Sequence, residues 1–297
     1  MIESVDVLRL AAFADAPGGG NPAGVVLDAS KLHEDAMLAI AREVGFSETA
    51  FVTHPATEQA PGEIGIRYFS PEAEVPFCGH ATIATAVALA EREPAGGRHR
   101  FVFETAVGSL TVDTVRSDSG TVASFTSVEP VVRPIEAQVL LQLLQLLGLQ
   151  PDDLDRQLPP RVAYAGNDHP MLTIADAAVF DEFSFDPQAV RALMDEQGWP
   201  GTVTVMHRQT ANRFEARNLF PVGQIVEDPA TGSAAAAFGG YLRALGQAPV
   251  PGHVTVLQGR HVGRPSRLAV RIPRSGGITV SGTALPIAEP DASATLG

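Results

Sequence analysis

Lysine is almost missing from this 297-residue chain: of its 21 basic residues, all but Lys31 are arginine. Lys31 stands just before an expected helix and is read as solvent-facing. Schiff-base and pyridoxal-phosphate chemistry both need a buried lysine, so neither is expected. Cysteine is nearly as scarce. The single Cys78 excludes an internal disulfide framework and a multi-cysteine zinc site. No run of about 18 apolar residues is present, which excludes a membrane-spanning helix. The opening "MIESVDVLRLAAF" carries an early acid and reads as a strand rather than a signal peptide. Basic charge is also in deficit. The net charge of −13 argues against a nucleic-acid or anionic-membrane partner. The expected compartment is the cytoplasm.

The chain does have ample apolar content, 45% of residues, and enough length for two lobes. Hydrophobic periodicity in the first half predicts strands near 4–13 and 22–28, then a helix at 32–44. Strands near 48–53 and 63–69 precede a small-residue helix at 79–92, and strands near 100–105, 108–115 and 120–126 follow. The second half opens with an extra helix, "PIEAQVLLQLLQLLG" (134–148). Next come strands near 161–165 and 170–176, a helix at 186–197, and strands near 202–207 and 213–220. A small-residue helix at 230–245 and strands near 253–258, 267–272 and 278–284 complete the order. Apart from the extra helix, both halves read ββαββαβββ.

Local text supports a duplication. "RYFSP" (67–71) resembles "RNLFP" (217–221), and "GHATIATAVALA" aligns with "DPATGSAAAAFG" through the shared Ala-Thr. The expected fold is α+β, with two pseudo-symmetric lobes. Each is a curved, mostly antiparallel sheet or barrel wrapped around its Ala-rich helix, because a helix apolar all round belongs in an interior. Strict βα alternation is missing, which argues against a Rossmann sheet. The lobes divide as 1–127 and 128–277, and a strand near 278–290 is a candidate to return to the first.

Each central helix starts in a turn of Gly, Ala, Thr and Ser. Free first-turn amides and small side chains let an anion approach, and the helix dipole favours it by ~0.3–1 kcal/mol. Ordinary capping by Thr82, Thr231 or Ser233 explains either turn alone; the pair, each beside an ionisable group, favours a site. In "EDPATGSAAAAF" (227–238), Asp228 beside a bound anion is expected to have a raised pKa, which suits a proton carrier. With Pro229 at the first helical position, Asp228 reads equally well as a plain N-cap. In "FCGHAT" (77–82), His80 can shuttle a proton near neutral pH. The eight histidines lack metal-ligand spacing, so no metal is expected. In "GFSETAFV" (45–52), Glu48 stands among Phe46, Phe51 and Val52, company that raises a carboxyl pKa; an exposed strand-end glutamate is the plainer alternative.

Together "GNPAGVVL" (20–27), "SETAFV" (47–52), "FSPEAEVPFCGHAT" (69–82) and "EDPATGSA" (227–234) resemble the phenazine-biosynthesis isomerase (PhzF-like) family, within the diaminopimelate-epimerase superfamily. The resemblance implies two pseudo-symmetric barrels with the site in the cleft, a homodimer, and proton transfer without a cofactor. It implies Glu48 as the principal acid/base, His80 and Asp228 as helpers, and Asn21, Ser47, Gly79, Gly232 and Ser233 as contacts to a small carboxylate-bearing substrate. Amino-acid epimerases of this fold use two thiols, and a chain with one cysteine cannot. The leading expectation is an isomerase that takes a proton from one carbon and returns it to another. The rivals are a lyase or epimerase that uses Cys78, and a non-catalytic small-anion binder.

Overall fold

The computed structural model describes residues 5–55, 63–93, 96–117, 120–221 and 226–288. The ends of the expected strands at residue 4 and at 289–290 lie outside them. In chain order the elements are β1 (Leu8–Ala12), β2 (Asn21–Val26), α1 (Glu34–Val44), β3 (Glu48–His54), β4 (Glu63–Phe69), β5 (Glu74–Val75), α2 (Gly79–Arg92), β6 (Gly97–Thr105), β7 (Gly108–Ser117) and β8 (Gly120–Thr126). Then follow β9 (Val131–Pro134), α3 (Ala137–Leu146), β10 (Arg161–Tyr164), β11 (Asp168–Ile174), α4 (Ala177–Glu182), α5 (Pro187–Gln197), β12 (Val203–Thr210) and β13 (Arg213–Leu219). The last are β14 (Glu227–Asp228), α6 (Gly232–Ala244), β15 (Gly252–Gln258), β16 (Ser266–Ile272) and β17 (Thr279–Pro286). No helix among the described residues is long and apolar enough to cross a membrane.

The chain forms two compact units, one of Met1–Phe125 with Gly282–Gly297 and one of Thr126–Ser281. In the first, strands pair in the order β17, β1, β2, β3, β4, β6, β7, β8, and β17 also pairs with β8 to close an eight-stranded barrel. The pairs are antiparallel except β2–β3 and β4–β6. Helix α2 packs on β1, β2, β3 and β7. Every residue of it from His80 to Ala88 is buried, and exposure begins only in the last turn, at Glu91 and Arg92. Helix α1 covers Val26, Phe51 and Phe69 with Met37, Ile40 and Ala41.

The second unit repeats this ladder. Its order is β9, β10, β11, β12, β13, β15, β16, β17, and again the third-to-fourth and fifth-to-sixth neighbours, here β11–β12 and β13–β15, are the parallel pairs. Helix α6 packs on β9, β10, β11 and β16. Its small residues are sterically required: a Cβ on Gly240 would lie 2.3 Å from Pro130 Cβ, and one on Gly239 would lie 2.7 Å from Ile278 Cγ2. Helices α3, α4 and α5 form an added apolar layer with Leu143, Phe180, Leu193 and Trp199.

The duplicated element order expected from the sequence is present, with additions. Short strands β5 and β14, strand β9 and helix α4 were not expected. The text alignment of the two central helices is also corrected. The shared Ala-Thr sets His80 against Pro229. In the structure Gly79 and Gly232 both open their helices, so His80 corresponds to Ser233 and Cys78 to Thr231.

The "RYFSP" and "RNLFP" match holds at its arginines. Arg67 on β4 forks onto Glu74 of β5 at 2.7 and 2.6 Å. Arg217 on β13 pairs with Glu227 of β14 in the same way. Each arginine fixes the two-residue strand that leads into the next helix. Hydrogen bonding from Arg67 holds the Glu74 carboxyl below its usual range.

Candidate active site

The parallel pairing of β2 with β3 sets Ala23 opposite Glu48, so the buried Asn21 and the Glu48 carboxylate sit toward the same strand ends. Gly24 permits that approach, because a Cβ there would come within 2.6 Å of Thr49 Oγ1. Helix α2 supplies the facing groups. His80 Nε2 lies 3.4 Å from Glu48 Oε2 and 3.5 Å from Ser47 Oγ, while Nδ1 lies 3.3 Å from Cys78 Sγ. The side chains of His80 and Glu48 are 8% and 18% exposed, so the pair is mostly shielded yet the carboxylate keeps an open edge. The structure thus brings together Ser47, Glu48, Cys78, Gly79 and His80 in the first unit. An imidazole here can donate to Glu48 from Nε2 while Nδ1 accepts from the thiol, and can hold a proton as the carboxylate changes charge.

In the second unit Asp228, Thr231, Gly232 and Ser233 stand at the start of α6. Asp228 is not the N-cap. It lies in β14, paired with Asn218, and the N-cap is Thr231 in an extended conformation. Pro229 therefore does not begin the helix, which starts at Gly232. Thr231 Oγ1 donates to Asp228 Oδ2, and Gln258 Nε2 donates to the Asp228 carbonyl at 2.6 Å.

The two helix starts share a lack. Neither Cys78 nor Thr231 caps its helix through a side chain. In contrast, Asp176 and Asp186 each accept two first-turn amides of α4 and α5. Thr82 does not cap either; its hydroxyl donates to the Cys78 carbonyl and bonds Tyr68 Oη. The anion-binding expectation narrows at one point. The Thr231 amide already donates to Gln258 Oε1 at 3.1 Å, which leaves Gly232 and Ser233 as the relevant amides there.

Sequence reasoning missed Gln258 and His169. His169 is fully buried on β11; Thr202 N–H donates to its Nδ1 at 3.0 Å, and its Nε2 lies 3.1 Å from Ser233 Oγ. One signal was available: "GNP" (20–22) recurs as "GND" (166–168) before a strand. Burial pushes the His169 imidazole down to about 4. The unfolded chain, with an ordinary value near ~6.5, then binds a proton between those limits that the folded chain does not. Stability is expected to be insensitive to this group above pH ~6.5 and to fall as the pH drops toward about 4, by ~3 kcal/mol in all. Urea midpoints of the parent at pH 7.5, 5.5 and 4.5, set against His169→Gln, read this: the parent declines more steeply. Equal slopes would show that His169 is not held neutral.

Two sets of groups could take a metal ion among the described residues: Glu48, Cys78 and His80, and Asp181, Glu215 and His261, each offering ligand atoms within 4.8 Å of one another. The second is already occupied by a cation, because Arg260 Nε donates to Glu215 Oε1 at 2.6 Å and its Nη2 to Asp181 Oδ1 at 2.5 Å. In the first, His80 lies between the other two, 3.3 Å from Cys78 Sγ and 3.4 Å from Glu48 Oε2.

Known proteins resemble this chain along nearly its whole length. Residues 10–289 match the model of the PhzC-PhzF family, described as phenazine biosynthesis-like protein. The uncharacterized isomerase YddE of Escherichia coli (strain K12) is 32% identical, over 94% of this chain and 95% of its own. The trans-2,3-dihydro-3-hydroxyanthranilate isomerase of Pseudomonas chlororaphis is 31% identical, over 88% of this chain and 87% of its own. A solved structure of a predicted epimerase from Pseudomonas aeruginosa superposes with a TM-score of 0.82 at 29% identity, covering 96% of this chain and 98% of that one. The repeated ladder, the motif stretches and these relatives agree: the chain is an isomerase and belongs to the phenazine biosynthesis-like PhzC-PhzF family.

Proposed function

We propose that this isomerase moves one proton between two carbons of a small cyclic carboxylate, without a cofactor, and that Glu48 carries the proton. The observation that bears most weight is the Glu48–His80 contact at 3.4 Å in a shielded setting, in a chain with one cysteine. Glu48 as carboxylate takes a proton from carbon, and the electron pair moves through the adjoining double bond. The same carboxylic acid then returns the proton at the far end, so the enzyme ends as it began. His80 stabilises the carboxylate through Nε2 and helps pass the proton. Asp228 is the second helper, held by Thr231. Asn21, Ser47, Gly79, Gly232 and Ser233 are assigned to substrate contacts, with the uncapped helix starts suited to its carboxylate.

The isomerase relatives disfavour both rivals, the Cys78-dependent lyase or epimerase and the non-catalytic binder. The substrate proposed is trans-2,3-dihydro-3-hydroxyanthranilate or a ring carboxylate of that kind, on the strength of the relative named for it. Incubating purified protein with that compound and following its ultraviolet spectrum and proton NMR tests the assignment. Isomerisation at a rate proportional to enzyme is expected; an unchanged spectrum would contradict this substrate. A homodimer and a cytoplasmic setting belong to the same proposal, and light scattering on the purified protein reads the first.

A further inference from the structure

The mechanism above makes no use of the most deeply buried histidine beside the proposed substrate contacts. We propose that His169 is a positioning residue that turns the Ser233 hydroxyl into a committed hydrogen-bond donor toward the substrate's carboxylate. This rests on the reading of Ser233 as a substrate contact.

The tautomer follows from a donor that cannot rotate. The Thr202 main-chain N–H points at His169 Nδ1, 3.0 Å away, while the Thr202 carbonyl oxygen lies farther off, at 3.2 Å. A hydrogen on Nδ1 would reach the farther carbonyl only by crowding the nearer amide hydrogen, so we assign the lone pair to Nδ1. Thr202 Oγ1, also 3.0 Å from Nδ1, can turn its own hydrogen to that lone pair as a second donor. A neutral imidazole has one ring hydrogen, which therefore sits on Nε2. Its partner there is Ser233 Oγ at 3.1 Å.

A serine hydroxyl has one hydrogen and two lone pairs. With His169 donating into one lone pair, the Ser233 hydrogen is directed away from the imidazole. Among the described residues, His169 is the only side-chain partner of Ser233 Oγ that the structure shows. Ser233 is half-buried in the first turn of α6, whose N-cap side chain makes no capping bond. Among the described residues its hydroxyl and the first-turn amides then show no side-chain acceptor, the combination a carboxylate needs.

The surroundings are built closely around the ring. A Cβ on Gly201 would lie 2.7 Å from His169 Cε1, 2.8 Å from Nδ1 and 2.5 Å from the Asp168 carbonyl, so only glycine admits this approach. Arg133 clamps the neighbouring Asp168 with two bonds of 2.8 and 2.7 Å. An apolar side chain would fill the same space with no desolvated polar atoms. What the imidazole adds is a fixed donor aimed at one hydroxyl.

The test joins spectroscopy with kinetics on the full chain. In protein labelled with 15N-histidine, His169 is expected to show a protonated Nε2 and an unprotonated Nδ1 from pH 8 to 5. Ser233→Ala is expected to shift the Nε2 signal. A protonated Nδ1, or signals indifferent to Ser233→Ala, would overturn the proposal whatever the substrate proves to be. With trans-2,3-dihydro-3-hydroxyanthranilate, His169→Phe is expected to raise KM by ~10- to 100-fold, the worth of one hydrogen bond to a charged group, with kcat little changed. His169→Gln, which retains an N–H donor, recovers part of that loss. In the Ser233→Ala background, His169→Phe is expected to add less than about twofold, because the two act as a unit. Independent, multiplying effects would show that His169 only packs, and would also overturn it. Unchanged KM in Ser233→Ala would instead defeat the carboxylate-contact reading, leaving the 15N signals to decide the hydrogen bond. Should the parent not turn this compound over, the substrate assignment fails and the same signals decide.

Discussion

Glu48→Gln is expected to reduce turnover by ~10²–10⁴-fold, the usual contribution of a positioned general acid–base, with substrate affinity nearly unchanged. The amide keeps the size of the carboxylate and can still accept from His80 Nε2, which lies 3.4 Å away in the parent. What it cannot do is cycle a proton at neutral pH. Because Glu48 opens β3 and its side chain makes no ion pair with an arginine among the described residues, folding is expected to be spared. Steady-state rates together with a urea midpoint separate the two effects. Equal activity in the variant would remove Glu48 from the mechanism.

The second large effect falls on stability and separates the neighbours Glu227 and Asp228. Arg217 and Glu227 are 8% and 9% exposed, and Arg217 also donates to the carbonyls of Phe180 and Phe183 and stacks 3.8 Å over the Phe183 ring. Removing one partner of a buried pair leaves an uncompensated charge, at a cost of ~3–5 kcal/mol. Glu227→Gln is expected at the lower end, since the two carbonyls still satisfy part of the guanidinium. The matching Glu74→Gln, whose pair is one-third exposed, is expected to cost under ~1 kcal/mol. Asp228→Asn is expected to stay within roughly 1 kcal/mol of the parent, because Asn also offers an oxygen to the Thr231 hydroxyl. Its activity should nevertheless fall sharply. If Glu227→Gln proved neutral while Asp228→Asn unfolded the protein, the structural and functional assignments of these two acids would be reversed.

Long periodic elements were legible in the sequence. Helix α2 reads as 79–92, its observed span, because a run of small apolar residues too short to cross a membrane belongs in a protein interior. The doubled order of strands was legible for a similar reason, since each strand is long enough to show its period. Two-residue strands β5 and β14 were not, since two residues carry no period. That omission is why the plain N-cap alternative stayed open at Asp228. An acid followed by proline is a sound helix-start signal in isolation, but the β14 ladder to Asn218 and Leu219 overrides it and delays the helix to Gly232. Helix α4 was missed because six residues span too few turns to show a face, although Asp176 caps it well.

Among the proposed site residues, Ser47, Glu48, Gly79 and His80 could be named because each falls inside a motif of contiguous text. His169 could not. Its significance depends on Thr202 and Ser233, which are 33 and 64 residues away, and the short "GND" echo just before it says nothing of either. The ion pairs of Arg67 and Arg217 were half legible: the repeated arginines were visible, their partners were not.

The central claim is that one carboxyl group, on Glu48, carries a proton from carbon to carbon. Turnover of trans-2,3-dihydro-3-hydroxyanthranilate in D₂O, followed by NMR with the parent, Glu48→Gln and Cys78→Ala, tests it most directly. The prediction is at most one deuterium per product molecule, on a carbon that was part of a double bond in the substrate, and no such product from Glu48→Gln on the parent's timescale. Deuterium entering at the parent rate with Glu48→Gln, and failing to enter with Cys78→Ala, would contradict the account and place the chemistry on the thiol.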